Sequence, residues 1–216
     1  MKSIIDIKTS NQNIEYFDAL NFMEKKVDKI LCNEENEMLW FLNHHHIYTC
    51  GTSSNRNEIL SKTNIPILQT NRGGKTTYHG PGQRIVYFMI NLNKRKKDIR
   101  KFVSIIENSV ISLLKEFDIE AKTFPERIGI WVIKSQGNKL SKEKKIGAIG
   151  LRIRKWVAYH GLSFNIDPDL KFYENINACG LKNYSSTSLK NLNINLSDKE
   201  FDKNFKKNFD NNILQL

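Results

Sequence analysis

One cysteine, two adjacent lysines and two histidines are the residues of this chain best suited to chemistry, and each stands among glycines. Cys179 precedes Gly180 in the run NACGL, residues 177–181, within a stretch of Asn, Gly and Tyr that reads as loop. A cysteine flanked by small residues is accessible, which is the first requirement of a nucleophile. The second is a lowered pKa, because at a value of about 8.5 only roughly 3% of a thiol is ionised at pH 7. A lysine held beside Cys179 would shift that balance toward thiolate. Lys144 and Lys145 open a second segment, KKIGAIGLRIRKWVAYHGLSFNI, residues 144–166. One of the two could point inward, and the residues alone do not say that Lys145 is the partner.

A third segment, NRGGKTTYHGPGQ at residues 71–83, combines backbone freedom with a titratable ring. Gly73 and Gly74 let the main chain approach a ligand closely, and His79 can donate, accept or bind metal. Gly80, Pro81 and Gly82 enforce a turn, and the apolar run from Ile85 to Leu92 follows as a buried strand. The glycines and His79 are therefore expected on a loop feeding the core, where binding sites are usually built. In the second segment strand alternation puts Trp156, Ala158, His160, Leu162, Phe164 and Ile166 on one apolar face, with Tyr159, Gly161, Ser163 and Asn165 on the other. His160 is thus expected as a satisfied core residue and is given no role as a base. Gly147, Gly150 and Gly161 weaken adjoining strands, which suggests that something else, such as a linear ligand in a groove, must come close to the backbone. His44 to His46 do not make a metal site, because neighbours in a strand face opposite ways.

The elements that must position these groups alternate between helix and strand. Ile14, Phe17, Leu20, Met23, Val27 and Ile30 predict an amphipathic helix over 13–31, and Met38 to Asn43 a strand. The run YTCGTSSNRNE reads as loop and leads to a short strand near Ile65 to Leu68. Asp98 is a plausible N-cap for a second helix carrying Ile99, Phe102, Val103, Ile106, Val110, Leu113, Leu114 and Phe117. Ile128 to Ile133 has strand character, Lys134 to Lys144 reads as a charged loop, and strands are expected over 146–154 and 156–166. Ser197 and Glu200 form a capping box ahead of Phe201, Phe205 and Phe209 on a final helix. The sum is an α+β fold with a mixed, mostly antiparallel sheet and packed helices, in a single domain over 1–216.

Composition narrows the function classes. The chain has 216 residues, a hydrophobic share of 39% and a formal charge of +11. No basic run is interleaved with aromatic residues as a single-strand nucleic-acid groove requires, so an acidic protein partner is the more useful reading of the charge. Cys32, Cys50 and Cys179 are odd in number, far apart and without CxxC spacing, against both a disulfide framework and structural zinc. The apolar stretch in MKSIIDIKTS is too short for a signal peptide, and no run of about 18 apolar residues occurs. A soluble, cytoplasmic protein in a reducing compartment, with no membrane partner, is expected.

In order and spacing, RGGxxTxHGPGQ, then KIxxxGLRIR with HGLxxN, then the Cys-Gly pair, resemble the lipoyl(octanoyl) transferases, the octanoyl-[acyl carrier protein]:protein N-octanoyltransferase family. EMLWFLNHHHIYTCG extends the resemblance, which covers roughly 37–182. It implies a fold shared with lipoate and biotin protein ligases, no cofactor, no metal, and a two-step acyl transfer. Cys179 would be the nucleophile forming an acyl-thioester, and Lys145 the group that lowers its pKa and transfers protons. Arg72, Gly73, Gly74, Lys75, Thr76, Thr77, Tyr78 and His79 would wall the acyl pocket, with Ala148, Ile149 and Gly150 and with Gly161, Leu162 and Ser163. The implied donor is octanoyl-acyl carrier protein, and the implied acceptors are lipoyl domains of 2-oxoacid dehydrogenases and the glycine cleavage H protein, with the enzyme a monomer. The sequence departs from the family at Ala178, where a proline is common, and at Phe164, which would either shorten the pocket or fill core. The rival readings are an ATP-dependent lipoate or biotin ligase and, lower, a basic nucleic-acid-binding module.

Overall fold

Residues 4–177 and 185–216, which the computed structural model describes, alternate strand and helix in a way set by where apolar side chains recur. In chain order they form β1 (Ile5–Ile14), α1 (Tyr16–Leu31), β2 (Glu37–His44), β3 (Ile47–Cys50), β4 (Ile67–Gln69), β5 (Thr77–His79) and β6 (Gln83–Asn91). Then come α2 (Ile99–Lys115), β7 (Ile119–Phe124), β8 (Arg127–Ser135), β9 (Asn138–Arg154), β10 (Val157–Asn165) and α3 (Asp198–Ile213). Seven strands make one sheet in the order β1-β2-β6-β10-β9-β8-β7, and β4-β3-β5 make a smaller one. In the large sheet only β1 and β2 run parallel; every other neighbour is antiparallel. The α+β class with a mixed, mostly antiparallel sheet is as expected.

Helices cover both faces of the large sheet. On one face α1 lays Ala19, Met23, Val27 and Ile30 against Trp40, Leu42, Tyr87 and Tyr159. On the other, α2 and α3 pack Phe102, Ile106, Val110, Phe205 and Phe209 onto Phe88, Ile130 and Phe164. The Asp98 carboxylate accepts the Lys101 N–H at 2.9 Å and starts α2. Ser197 and Glu200 cap α3 reciprocally. The α3 phenylalanines stack in a row, with ring centroids 5.8 and 5.9 Å apart. Phe164 stacks on Phe201 at 4.8 Å, so it fills core on the α3 side of the sheet. Buried Arg84 clamps α3 through a two-point contact with Asp202, at 2.8 and 2.6 Å. No helix of the described residues is long and apolar enough to cross a membrane.

Several expectations on the elements are corrected. Residues 134–144, read as a loop, are the ends of β8 and β9 joined by a two-residue turn. Lys134 pairs with Lys139 and Ser135 with Asn138, while Gln136 and Gly137 take φ of 49° and 76° as such a turn requires. Polar and charged residues dominate the hairpin, exposed at 136–139 and at 141 and 142, so the period of two is hidden. The first helix starts at Tyr16, because Ile14 ends β1; its buried stripe is Tyr16, Ala19, Met23, Val27 and Ile30, and Phe17 is 63% exposed. Part of the expected loop over 71–83 is strand: Thr77 to His79 form β5 against β3, itself read as loop.

Candidate functional site

The small sheet and the glycine-rich loop are joined by one buried guanidinium. Arg72 donates from Nε to Thr49 Oγ1 at 3.1 Å, and from Nη2 to Thr49 Oγ1, Thr49 O and Lys75 O at 2.8, 2.7 and 2.8 Å. Nη1 donates to Gly73 O at 2.9 Å. The loop then seats on β9: Gly73 N–H donates to Leu151 O at 3.0 Å, and a Cβ at Gly150 would stand 2.8 Å from Gly73 O. Only glycine allows this approach. Below the loop, buried Glu58 accepts Thr76 N–H at 2.9 Å and pairs with Lys75 at 3.3 Å. Burial raises the Glu58 pKa, but the Thr76 contacts and the Lys75 ammonium outweigh it, so the group stays a carboxylate. Its main-chain oxygen accepts Asn177 N–H at 2.7 Å.

A second chain of hydrogen bonds runs from His79 to Lys145. The Thr49 hydroxyl donates to His79 Nε2 at 3.2 Å, and His79 Nδ1 donates to Gln83 Oε1 at 2.7 Å. Gln83 Nε2 donates to Asn165 Oδ1 and to Tyr173 Oη at 3.0 and 2.6 Å. Asn165 Nδ2 donates to Thr187 O at 2.9 Å, and Thr187 N–H donates to Lys145 O at 2.8 Å. Lys145 N–H in turn donates to Ser185 O at 2.9 Å. Burial first, then His44 and Arg72, hold the His79 pKa well below 6.5. His79 is therefore a neutral strut.

Loop, β9 and β10 enclose a cavity of about 260 Å³. Ile85, Ala148, Ile149, Gly147 and Leu162 give it apolar lining; in the strand order β6-β10-β9-β8, Arg127, Ile128, Lys145 and Ser186 lie toward the β8 end and Tyr16, Tyr87 and His160 toward the β6 end. The first end opens to solvent, with Ile128 60% exposed, whereas Tyr16, Tyr87 and His160 are buried. Arg72, Gly74, Lys75, Thr76, Thr77, His79, Ala148, Ile149, Gly150, Gly161, Leu162 and Ser163 all line this cavity, together with Lys145. Lys145 Nζ lies 5.7 Å from the Trp131 ring centroid. Gly73 is not among the lining residues and bonds Leu151 O of β9. Tyr78 turns away, because alternation along β5 sends Thr77 and His79 inward. Its ring packs with Tyr48 and Phe172, and its hydroxyl meets His46 Nδ1 at 2.7 Å. Cys179 lies outside the described residues. His44 to His46 diverge: His44 bonds Tyr87 Oη and Ile14 O, His45 is exposed, and His46 joins Tyr78.

His160 is not the satisfied core residue that alternation implies. Its φ of 63° lies in the left-handed region and breaks the period of two. The ring stacks on that of its neighbour Tyr159 at 5.0 Å and meets Tyr87 edge-on at 6.1 Å, both on the α1 side of the sheet. Neither ring nitrogen has a hydrogen-bond partner among the described residues. Burial first, with Arg72 and Arg152 adding repulsion, brings its pKa down to about 3. Nothing in the period of the strand signals this reversal. Tyr87, which also lines the cavity, reads from sequence as an ordinary member of the apolar run Ile85 to Leu92, and Tyr16, a further lining residue, lies off the apolar series expected of the first helix.

The sequence matches the lipoyl protein ligase A/B catalytic domain family over residues 15–210. The octanoyltransferase of Bartonella tribocorum is 43% identical over 192 residues, covering 87% of this chain and 78% of that protein. The octanoyltransferase of Wolbachia pipientis subsp. Culex pipiens is 45% identical over 189 residues, covering 87% and 89%. This chain belongs to the octanoyltransferase family. It is an acyltransferase, and its family ties it to protein lipoylation. The bi-partite lipoate protein ligase of Thermoplasma acidophilum shares the fold, with a TM-score of 0.68 at 14% identity over 99% of this chain and 84% of that one. The acyltransferase thus keeps the lipoate-ligase architecture around the cavity described above.

Proposed function

We propose that this acyltransferase takes an octanoyl group from octanoyl-acyl carrier protein onto Cys179 and passes it to a lysine of a lipoyl domain. The observation that supports the reading is where the chain is held on either side of residues 178–184, the segment that contains Cys179. Asn177, two residues before it, is tied to Glu58 beneath the glycine-rich loop, and Ser185 and Thr187, after it, are bonded to the Lys145 main chain. Lys145 stands at the solvent end of a cavity whose walls suit an alkyl chain. In the first step the Cys179 thiolate attacks the thioester carbonyl and the carrier's thiolate leaves, taking a proton from the Lys145 ammonium. In the second, the acceptor amine attacks the octanoyl-cysteine, gives a proton to the now neutral Lys145, and expels the Cys179 thiolate. Protons balance over the cycle and no nucleotide is consumed. The +11 charge suits an acidic carrier, whose encounter it would speed.

Intact-protein mass spectrometry after brief incubation with octanoyl-acyl carrier protein and an acid quench tests this. One octanoyl mass gain, without ATP and lost with hydroxylamine, is the expected result. No adduct on folded protein, together with pyrophosphate release from ATP and lipoate, would replace the proposal with the ligase reading.

A further inference from the structure

The cavity has apolar walls but a polar inner end, and an alkyl chain cannot satisfy that end. His160 is 1% exposed, lines the cavity and has two ring nitrogens with no partner among the described residues. The backbone places it there at a cost, since a non-glycine residue at φ of 63° is strained. On the unstrained course of the strand its side chain would enter the apolar layer of Ala158 and Leu162. With its pKa down at about 3, the ring is neutral near pH 7 and offers one donor and one acceptor. Buried polar groups keep hydrogen-bond partners, so the ring must draw on the contents of the cavity, and a small polar molecule such as water suffices. A terminal methyl group pressed against it supplies nothing.

Resting on the acyl-pocket reading above, we infer that His160 is a specificity-determining residue, a polar stop that limits the length of acyl chain the cavity accepts. A chain that ends short of the ring leaves its hydrogen bonding intact. Each further methylene toward it removes that partner and forfeits the gain of burial. Ile85 and Ala148, along the walls, reward chain length up to that point.

The test compares kcat/KM for hexanoyl-, octanoyl-, decanoyl- and dodecanoyl-acyl carrier protein with a lipoyl-domain acceptor. His160→Met keeps bulk but removes both nitrogens, and the dodecanoyl-to-octanoyl ratio is expected to rise about tenfold, the scale of one or two methylenes in an apolar pocket. His160→Asn, polar and tolerant of left-handed backbone, should leave that ratio within about twofold. An unchanged ratio in folded His160→Met, or an equal rise in both variants, overturns the inference. If His160→Met does not fold, the ¹⁵N imidazole signals of the wild-type octanoyl and dodecanoyl enzymes decide: loss of the ring hydrogen bond only in the dodecanoyl form supports the stop, and identical signals overturn it. Wild-type protein that transfers no acyl chain of any length would instead sink the function proposed above, a distinct outcome.

Discussion

Serine at position 179 is expected to remove the hydroxylamine-sensitive octanoyl adduct and to lower octanoyl transfer by about a thousandfold or more. A hydroxyl has no appreciable anionic form near neutrality, so a neighbouring cation has nothing to stabilise before attack. The thiol differs because only about 1.5 pKa units separate it from half-ionisation at pH 7, a gap of roughly 2 kcal/mol that one nearby ammonium can close. Lys145→Met, which keeps the stem beside Trp131, should therefore slow acylation most at low pH and least above about pH 8.5, where the free thiol ionises unaided. Rates of adduct formation from pH 6 to 9 measure both effects. A Cys179→Ser enzyme that still transfers octanoate at wild-type speed removes the cysteine from the mechanism, and a Lys145→Met profile parallel to wild type removes the lysine's electrostatic role.

The second large effect concerns the fold under the cavity. Gly161→Ala should destabilise the protein by about 3 kcal/mol, lowering Tm by roughly 10 °C. A Cβ at Gly161 would lie 1.9 Å from Val86 O and 2.9 Å from Phe88 Cδ2, and the first of these is backbone of the paired central strand β6. Relief requires β6 and β10 to separate where Gly161 pairs with Tyr87, in the strands that carry Ile85, Leu162 and Ser163 of the cavity. Gly137→Ala is the control. It has positive φ but nothing within 4 Å of the new methyl group, so only backbone strain of about 1 kcal/mol is expected. Thermal melts of the two variants decide the matter, and equal losses would mean that the Val86 contact carries no special penalty.

What could be read before the structure depended on whether one face of an element was apolar. α2 announced itself through Asp98 and its row of core residues, and α3 through Ser197, Glu200 and three phenylalanines. The start of β9 did not, because Asn138, Lys139, Ser141 and Lys142 are exposed and Leu140 is the single apolar residue among them. β3 and β5 are too short, at four and three residues, to show a period. Had β5 been recognised, alternation alone would have turned Thr77 and His79 inward and Tyr78 outward. Glycine gave the most direct route to the cavity, since Gly150 and Gly161 mark the two close backbone approaches around it. The orientation of His160 was beyond any argument from alternation, because a single positive φ reverses the side on which a side chain emerges. The hydrogen bonds joining His79 through Asn165 and Thr187 to Lys145 link residues remote in the chain, and no local pattern encodes them.

The buried histidines also make this fold sensitive to acid. His44 and His160, with pKa values brought by burial to about 4 and about 3 against an ordinary 6.5, and His79, also well below 6.5, stay neutral while folded. The unfolded chain has no such restraint and takes up those protons as pH falls below 6.5. The stability that neutral burial preserves is therefore complete above that value and declines beneath it, by about 1.4 kcal/mol per unit for each ring. One unit of acidification would remove about 4 kcal/mol, a large part of the margin that holds most domains together. Urea unfolding at pH 7.5 and 5.5 measures this directly, and equal midpoints would contradict it. An acyltransferase built on three silent imidazoles is kept from acidic surroundings by its folding equilibrium, before any step of its chemistry is considered.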